Sequence, residues 1–144
     1  MNSDGEDDFE GGGTLPWMLG NPPEWEIDEH QSFSGDRSIR NIPSSEVSVT
    51  RTLRLYTNLP VASTLSCKLK VDISMPFDRF ALYVNGATRK DYYGPEDDWV
   101  ALTTGLAKGR NAIEFTVINA DMFPPFESLT SGRVWLDACF VKTL

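Results

Sequence analysis

Histidine occurs once and cysteine twice, and no apolar run approaches the roughly 20 residues that a membrane-spanning helix needs. A spanning helix and a histidine-rich metal centre are both excluded. His30 stands alone in a polar stretch, and Cys67 and Cys139 lie far apart without any metal spacing such as C-x-x-C, so a zinc site is excluded too. Two readings of the cysteines stay open, a pair of buried free thiols or one disulfide joining two strands. Cations are also scarce: 13 Lys and Arg stand against 21 Asp and Glu, a formal net charge of -8. Nucleic-acid binding draws its affinity from cations that neutralise phosphates, so DNA and RNA are not expected as partners. The acidity suits a soluble extracellular protein, a divalent-cation site or a basic partner. Catalytic motifs are missing as well. There is no Gly-x-Ser-x-Gly elbow, and Gly11-Gly12-Gly13 is not followed by the strand-to-helix unit of a nucleotide site. Carboxylates are plentiful, but their separations are not legible in the sequence, and a glycosidase pair has no cleft to sit in. The chain reads as a non-enzyme.

What is present is a strand pattern. At 144 residues the chain suits one domain. Residues 1–8 are acidic and without periodicity, and read as a disordered tail; residues 9–144 form the domain. The opening MNSDGEDDFEGGG has neither the basic nor the apolar region of a signal peptide, and reads either as a chain without an export address or as one trimmed from a precursor. From Phe9 onward, apolar residues alternate with a period of two. Leu65, Cys67, Leu69, Val71 and Ile73 share one face, with Ser66, Lys68, Lys70 and Asp72 on the other. Val47, Val49, Leu53 and Leu55 oppose Ser48, Thr50, Thr52, Arg54 and Tyr56, with Arg51 breaching the apolar side. Arg51 therefore sits at a sheet margin or pairs with a carboxylate. Further strands are expected around Phe80, Leu82 and Val84, around Ile113, Phe115 and Val117, and along Val134, Leu136, Ala138 and Phe140. Shorter ones are expected at 25–27, 38–42 and 99–102. Turn formers separate these runs, and Asn85-Gly86 is the best hairpin signal, since both residues tolerate left-handed conformations. No 3.6-residue period is sustained. The expected fold is all-β, a two-sheet antiparallel β-sandwich of the jelly-roll kind with little helix.

The order of landmarks sharpens this. Phe9-Glu10, Trp25, Ser34-Gly35 before Ser38-Ile39, Phe77-Asp78, Asn85-Gly86, Trp99, Gly109 and the closing Trp135-Leu136-Asp137 follow one another along the chain. In that order the chain resembles jelly-roll modules of the galactose-binding-like, carbohydrate-binding and cleaved-adhesin (MAM-like) kinds, found in secreted and surface proteins. The resemblance implies a non-catalytic binding or adhesion module, extracellular or at the cell surface, recognising a glycan or a surface protein. It also implies a structural calcium held by Glu10, Gly35, Asp36 and Asp137, since calcium takes six to eight oxygens and can clamp separate segments. The competing role for Asp137 is a hydrogen bond to a turn. A structural or assembly module, packing on neighbouring domains or on its own copies, is the alternative function.

The ligand patch is read from the residues. Phe80, Leu82 and Val84 take the buried face, leaving Tyr83 on the other, and Arg89, Tyr92 and Tyr93 follow in the next loop. Tyr and Arg favour binding surfaces for their rigid area and planar donors. Trp25 and Trp99, at strand starts, read as core. The Glu96, Asp97 and Asp98 group reads as a solvated acidic loop. Met122-Phe123-Pro124-Pro125-Phe126 is either a docking patch or a plug over one end of the sandwich.

Overall fold

A computed structural model describes residues 5–7, 15–42, 48–73, 78–92, 98–120 and 133–143. Among the described residues there are eleven strands and no helix: β1 (Gly5–Asp7), β2 (Trp17–Met18), β3 (Trp25–Asp28), β4 (Ser38–Asn41), β5 (Ser48–Leu59), β6 (Ser63–Asp72), β7 (Asp78–Val84), β8 (Ala87–Tyr92), β9 (Val100–Leu106), β10 (Gly109–Ala120) and β11 (Arg133–Thr143). They form two antiparallel sheets. Sheet A runs β3-β4-β11-β6-β9 with β1 also on β11, and sheet B runs β2-β5-β10-β7-β8. The chain is a jelly-roll β-sandwich, as its alternation requires.

The core lies between the sheets. β6 contributes Leu65, Cys67, Leu69 and Val71, β5 gives Leu53 and Leu55, and β7 and β10 supply Phe80, Leu82, Val84, Ile113, Phe115 and Val117. Each fully buried Leu, Ile or Phe stabilises the fold by roughly 1.5–3 kcal/mol relative to exposure. Trp25 is fully buried, and Trp17 packs its ring on Phe115 at 5.8 Å. Arg51 sits at the sheet margin, its Nε donating to the Ile42 carbonyl at 3.2 Å. The β7–β8 hairpin turns at Asn85 and Gly86, whose φ of 52° and 83° are the left-handed values that a two-residue turn needs.

Two expectations are corrected. The stretch read as a tail contains β1, whose Gly5, Glu6 and Asp7 register with Val141, Phe140 and Cys139. That pairing runs through backbone groups, which leave no side-chain pattern in the sequence. The second correction concerns β11, where Ala138 and Phe140 were expected to follow Val134 and Leu136 into the core. Between Asp137 and Phe140 the register with β6 shifts, and Ala138 takes a φ of 48°. One extra residue reverses the facing of everything after it. Cys139 and Val141 therefore turn inward, while Phe140 is 41% exposed. This reversal brings Cys139 to Cys67 on β6, and the two form a disulfide with Cα atoms 4.1 Å apart. The open question about the cysteines is decided by that bulge.

Candidate functional site

The outward face of sheet A is largely covered by its own chain. Asp28, Trp135 and Asp137 point away from the core, yet all three are buried. The cover is the 29–37 loop. Phe33 meets Trp99 edge-on at 6.1 Å and carries Lys68 Nζ 5.1 Å over its ring. Gln31 accepts from Ser38 Oγ at 2.6 Å and from Lys70 Nζ at 3.2 Å. Underneath, Asp28 accepts from Trp135 Nε1 at 2.9 Å and from the Gln31 amide at 3.1 Å, and lies 3.1 Å from His30 Nδ1.

Burial pushes the Asp28 carboxyl up, but the bonds from His30 and Trp135 and the charge of Arg40 outweigh it and hold the group below its ordinary value. Its stabilising contribution is thus complete above the ordinary carboxylate range, about pH 4, and is lost as pH falls through the lower, folded value. Trp135→Phe removes one donor. Asp28 should then titrate higher by NMR, the acid-unfolding midpoint should move to higher pH, and neutral stability should fall by about 1–3 kcal/mol. An unmoved acid midpoint would show that the indole contributes nothing to holding the charge.

Asp137 does for the loop what a cap does for a helix. Its Oδ2 accepts from the Phe33 and Ser34 amides at 2.9 and 3.1 Å, and its Oδ1 from the Ala138 amide at 2.7 Å. Of the expected calcium set, the structure therefore brings Asp137 against the loop carrying Gly35 and Asp36. Glu10 lies outside the described residues. The oxygens present are engaged by the protein itself, since the Gly35 carbonyl also accepts from Ser32 Oγ at 2.8 Å. Among the described residues no group of three or more His, Cys, Asp or Glu converges as a metal site.

Sheet B has a different outward face. Register places Arg54, Glu114, Tyr83 and Thr88 in one row across β5, β10, β7 and β8, with Met18 beside Arg54. The next row is Thr52, Thr116, Ala81 and Asp91, and beyond it stand Thr50, Ile118 and Arg79. Thr52, Thr116 and Ala81 are short side chains between two ranks of longer ones. They are buried beneath those ranks, with relative exposures of 6%, 7% and 0%. The hydroxyls of Thr52 and Thr116 meet at 3.3 Å. Above them, Arg54 pairs with Glu114 at 3.4 Å, and Arg79 Nε donates to Asp91 at 2.8 Å, so the longer side chains of this face are charged groups already oriented. Oriented donors and acceptors beside a tyrosine ring suit a polyhydroxylated ligand.

The expected patch of Tyr83, Arg89, Tyr92 and Tyr93 is not assembled on this face. Tyr83 is there. Tyr92 registers with Phe80 and tilts against its ring at 6.1 Å, so it faces the core. The pairing of β7 with β8 slips between Leu82 and Tyr83, leaving Arg89 as the extra residue. Its Nη1 reaches Thr104 Oγ1 on β9 at 3.4 Å, closing the edge between the sheets. Tyr93 lies outside the described residues, as do Glu96, Asp97 and the 122–126 stretch. Asp98 turns its Oδ1 to the Trp99 amide at 2.8 Å. The residues that sequence reasoning missed, Arg54, Thr116, Glu114 and Asp91, are the polar halves of alternating strands. That signal was readable, but which strands lie side by side was not.

No family model and no curated protein matches the chain. Solved structures do. A CBM22-1 xylan-binding domain from Paenibacillus barcinonensis Xyn10C superposes with a TM-score of 0.61 at 14% identity, covering 95% of this chain and 91% of that one. TmCBM61, solved with β-1,4-galactotriose, gives 0.64 at 13% identity over 96% and 95%. A family 35 carbohydrate-binding module from Clostridium thermocellum gives 0.51 at 15% identity over 84% and 89%. The fold is the jelly roll of carbohydrate-binding modules. At these identities the likeness is one of architecture.

Proposed function

We propose that the chain is a non-catalytic glycan-binding module that holds a saccharide against the outward face of sheet B. The observation that carries this reading is the set of oriented polar side chains beside Tyr83 on the sheet face that the 29–37 loop does not cover. The fold is one also seen in a xylan-binding domain and in a galactotriose complex. Sugar hydroxyls would exchange hydrogen bonds with Arg54, Glu114 and Asp91, while the apolar face of a pyranose packs on Tyr83. Because the ion pairs and strands hold these groups before the ligand arrives, little ordering opposes binding. No bond is made or broken in this mechanism.

The Cys67–Cys139 disulfide supports a working place outside the cell, where such bridges persist, and with it adhesion to surface glycans. A structural calcium at Glu10, Gly35, Asp36 and Asp137 is a separate element of the proposal. Its support is the reach of Asp137 to the loop that carries Gly35 and Asp36.

Affinity gels and calorimetry against xylan, galactan and a broader polysaccharide panel test the reading. Tyr83→Ala should weaken the bound polymer by about tenfold, a loss of about 1.4 kcal/mol, with the melting temperature unchanged. Undiminished affinity in that variant, or no binding by the wild type, would remove this face as the site.

A further inference from the structure

Beyond Arg54 and Glu114, at the hairpin end of the same face, lies a hollow of about 520 Å³ bordered by Pro16, Tyr56, Asn58, Asn85, Arg110 and Ala112. Register explains its shape. Tyr56 faces Ala112 and Asn58 faces Arg110. The single methyl of Ala112 leaves open space beside the Tyr56 ring, which is 49% exposed. Asn85 closes the end: its amide donates to Asn111 Oδ1 at 3.2 Å, and its Oδ1 accepts from the Ala112 amide at 2.8 Å.

Arg110 differs from the other arginines of this face. Arg54 is engaged by Glu114 and Arg79 by Asp91, whereas the Arg110 side chain makes no ion pair or hydrogen bond among the described residues. The Arg110 side chain is exposed at the rim of the hollow, and no carboxylate among the described residues engages it. Its planar fork of donors stays open to an anion from outside. Among the described residues the Asn58 side-chain amide is equally uncommitted, and the buried Thr57 hydroxyl beside it has no partner.

We infer that this hollow takes an acidic sugar, a uronate unit of the glycan, with its carboxylate on Arg110, its ring on Tyr56 and a hydroxyl on Asn58. The inference rests on the glycan reading above and adds the charge of the ligand. A hydroxyl of a neutral sugar accepts a single bond from the guanidinium, while a planar carboxylate meets it with two parallel bonds between opposite charges.

Calorimetry with polygalacturonate, alginate and glucuronoxylan, each beside its carboxyl-reduced counterpart, tests the assignment. At least one acidic polymer should bind about tenfold or more tightly than its reduced form, as a charge-assisted bidentate contact implies. Arg110→Gln should bring that affinity down to the reduced polymer's level with an unchanged melting temperature. Equal binding of acidic and reduced polymers overturns the assignment, and so does a preference that survives Arg110→Gln. Dextran sulfate bound as tightly as the uronates would mark plain charge attraction and overturn it too. Each of these outcomes leaves the glycan reading standing, whereas wild-type protein that binds no polymer, neutral or acidic, overturns both.

Discussion

Reduction of the Cys67–Cys139 bridge should lower the unfolding free energy by about 4 kcal/mol, the chain entropy that a cross-link spanning 72 residues removes from the unfolded state. In a domain of this size the melting temperature should fall by about 10–15 °C. Both cysteines are buried, so a change of packing could imitate the loss of a cross-link. Two measurements separate these causes. The reduced wild type keeps both sulfurs and loses only the bond, while the Cys67→Ala, Cys139→Ala double variant loses the bond and the sulfur volume. Truncating two small buried side chains costs about 1–2 kcal/mol, less than the cross-link term. Urea midpoints of the two forms should therefore lie close together and well below that of the oxidised protein. A reduced wild type that unfolds with the oxidised one would show that the bridge constrains nothing.

The bridge also marks the limit of what alternation reveals. β6 could be read residue by residue, because it is regular and half-buried, and its facing in the structure is the expected one. β7 and β10 were legible for the same reason, and Asn85-Gly86 named its own turn. Bulges were not legible. A bulge is one residue of backbone geometry, and neither Ala138 nor Arg89 carries the glycine that would have flagged it. The first reversed an assignment downstream, with Phe140 out and Cys139 in, while the second lies in a stretch expected as a loop, where Arg89 and Tyr92 stand on β8 and part company. The binding face was half legible. Thr52, Arg54 and Tyr56 stood out as the polar side of one strand, but their union with Glu114, Thr116, Ala81 and Tyr83 depends on strand order. In a jelly roll that order places β5 beside β10, about 50 residues on, and local sequence contains nothing that specifies it.

Asp137→Ala should be the most damaging single substitution outside the apolar core. The carboxylate is fully buried and gathers three backbone amides, two of them from a loop about a hundred residues earlier in the chain. Truncation leaves those donors without acceptors at about 1–3 kcal/mol each, offset where water enters, for a net loss of about 3 kcal/mol. The melting temperature should drop by about 10 °C, and the Phe33 and Ser34 amides should exchange faster than the rest of the loop. Asp137→Asn keeps an acceptor oxygen and should lose about half as much. A shared loss would point to charge as the decisive property, and charge is what a calcium site would require. The same proteins therefore test the ion. Bound calcium stabilises by a few kcal/mol at concentrations about a hundredfold above its dissociation constant. On the calcium proposal, chelator lowers and calcium restores the wild-type melt, and neither acts on Asp137→Ala. On the hydrogen-bond account the wild-type melt ignores both, because the three amides already supply the positive ends that the carboxylate needs.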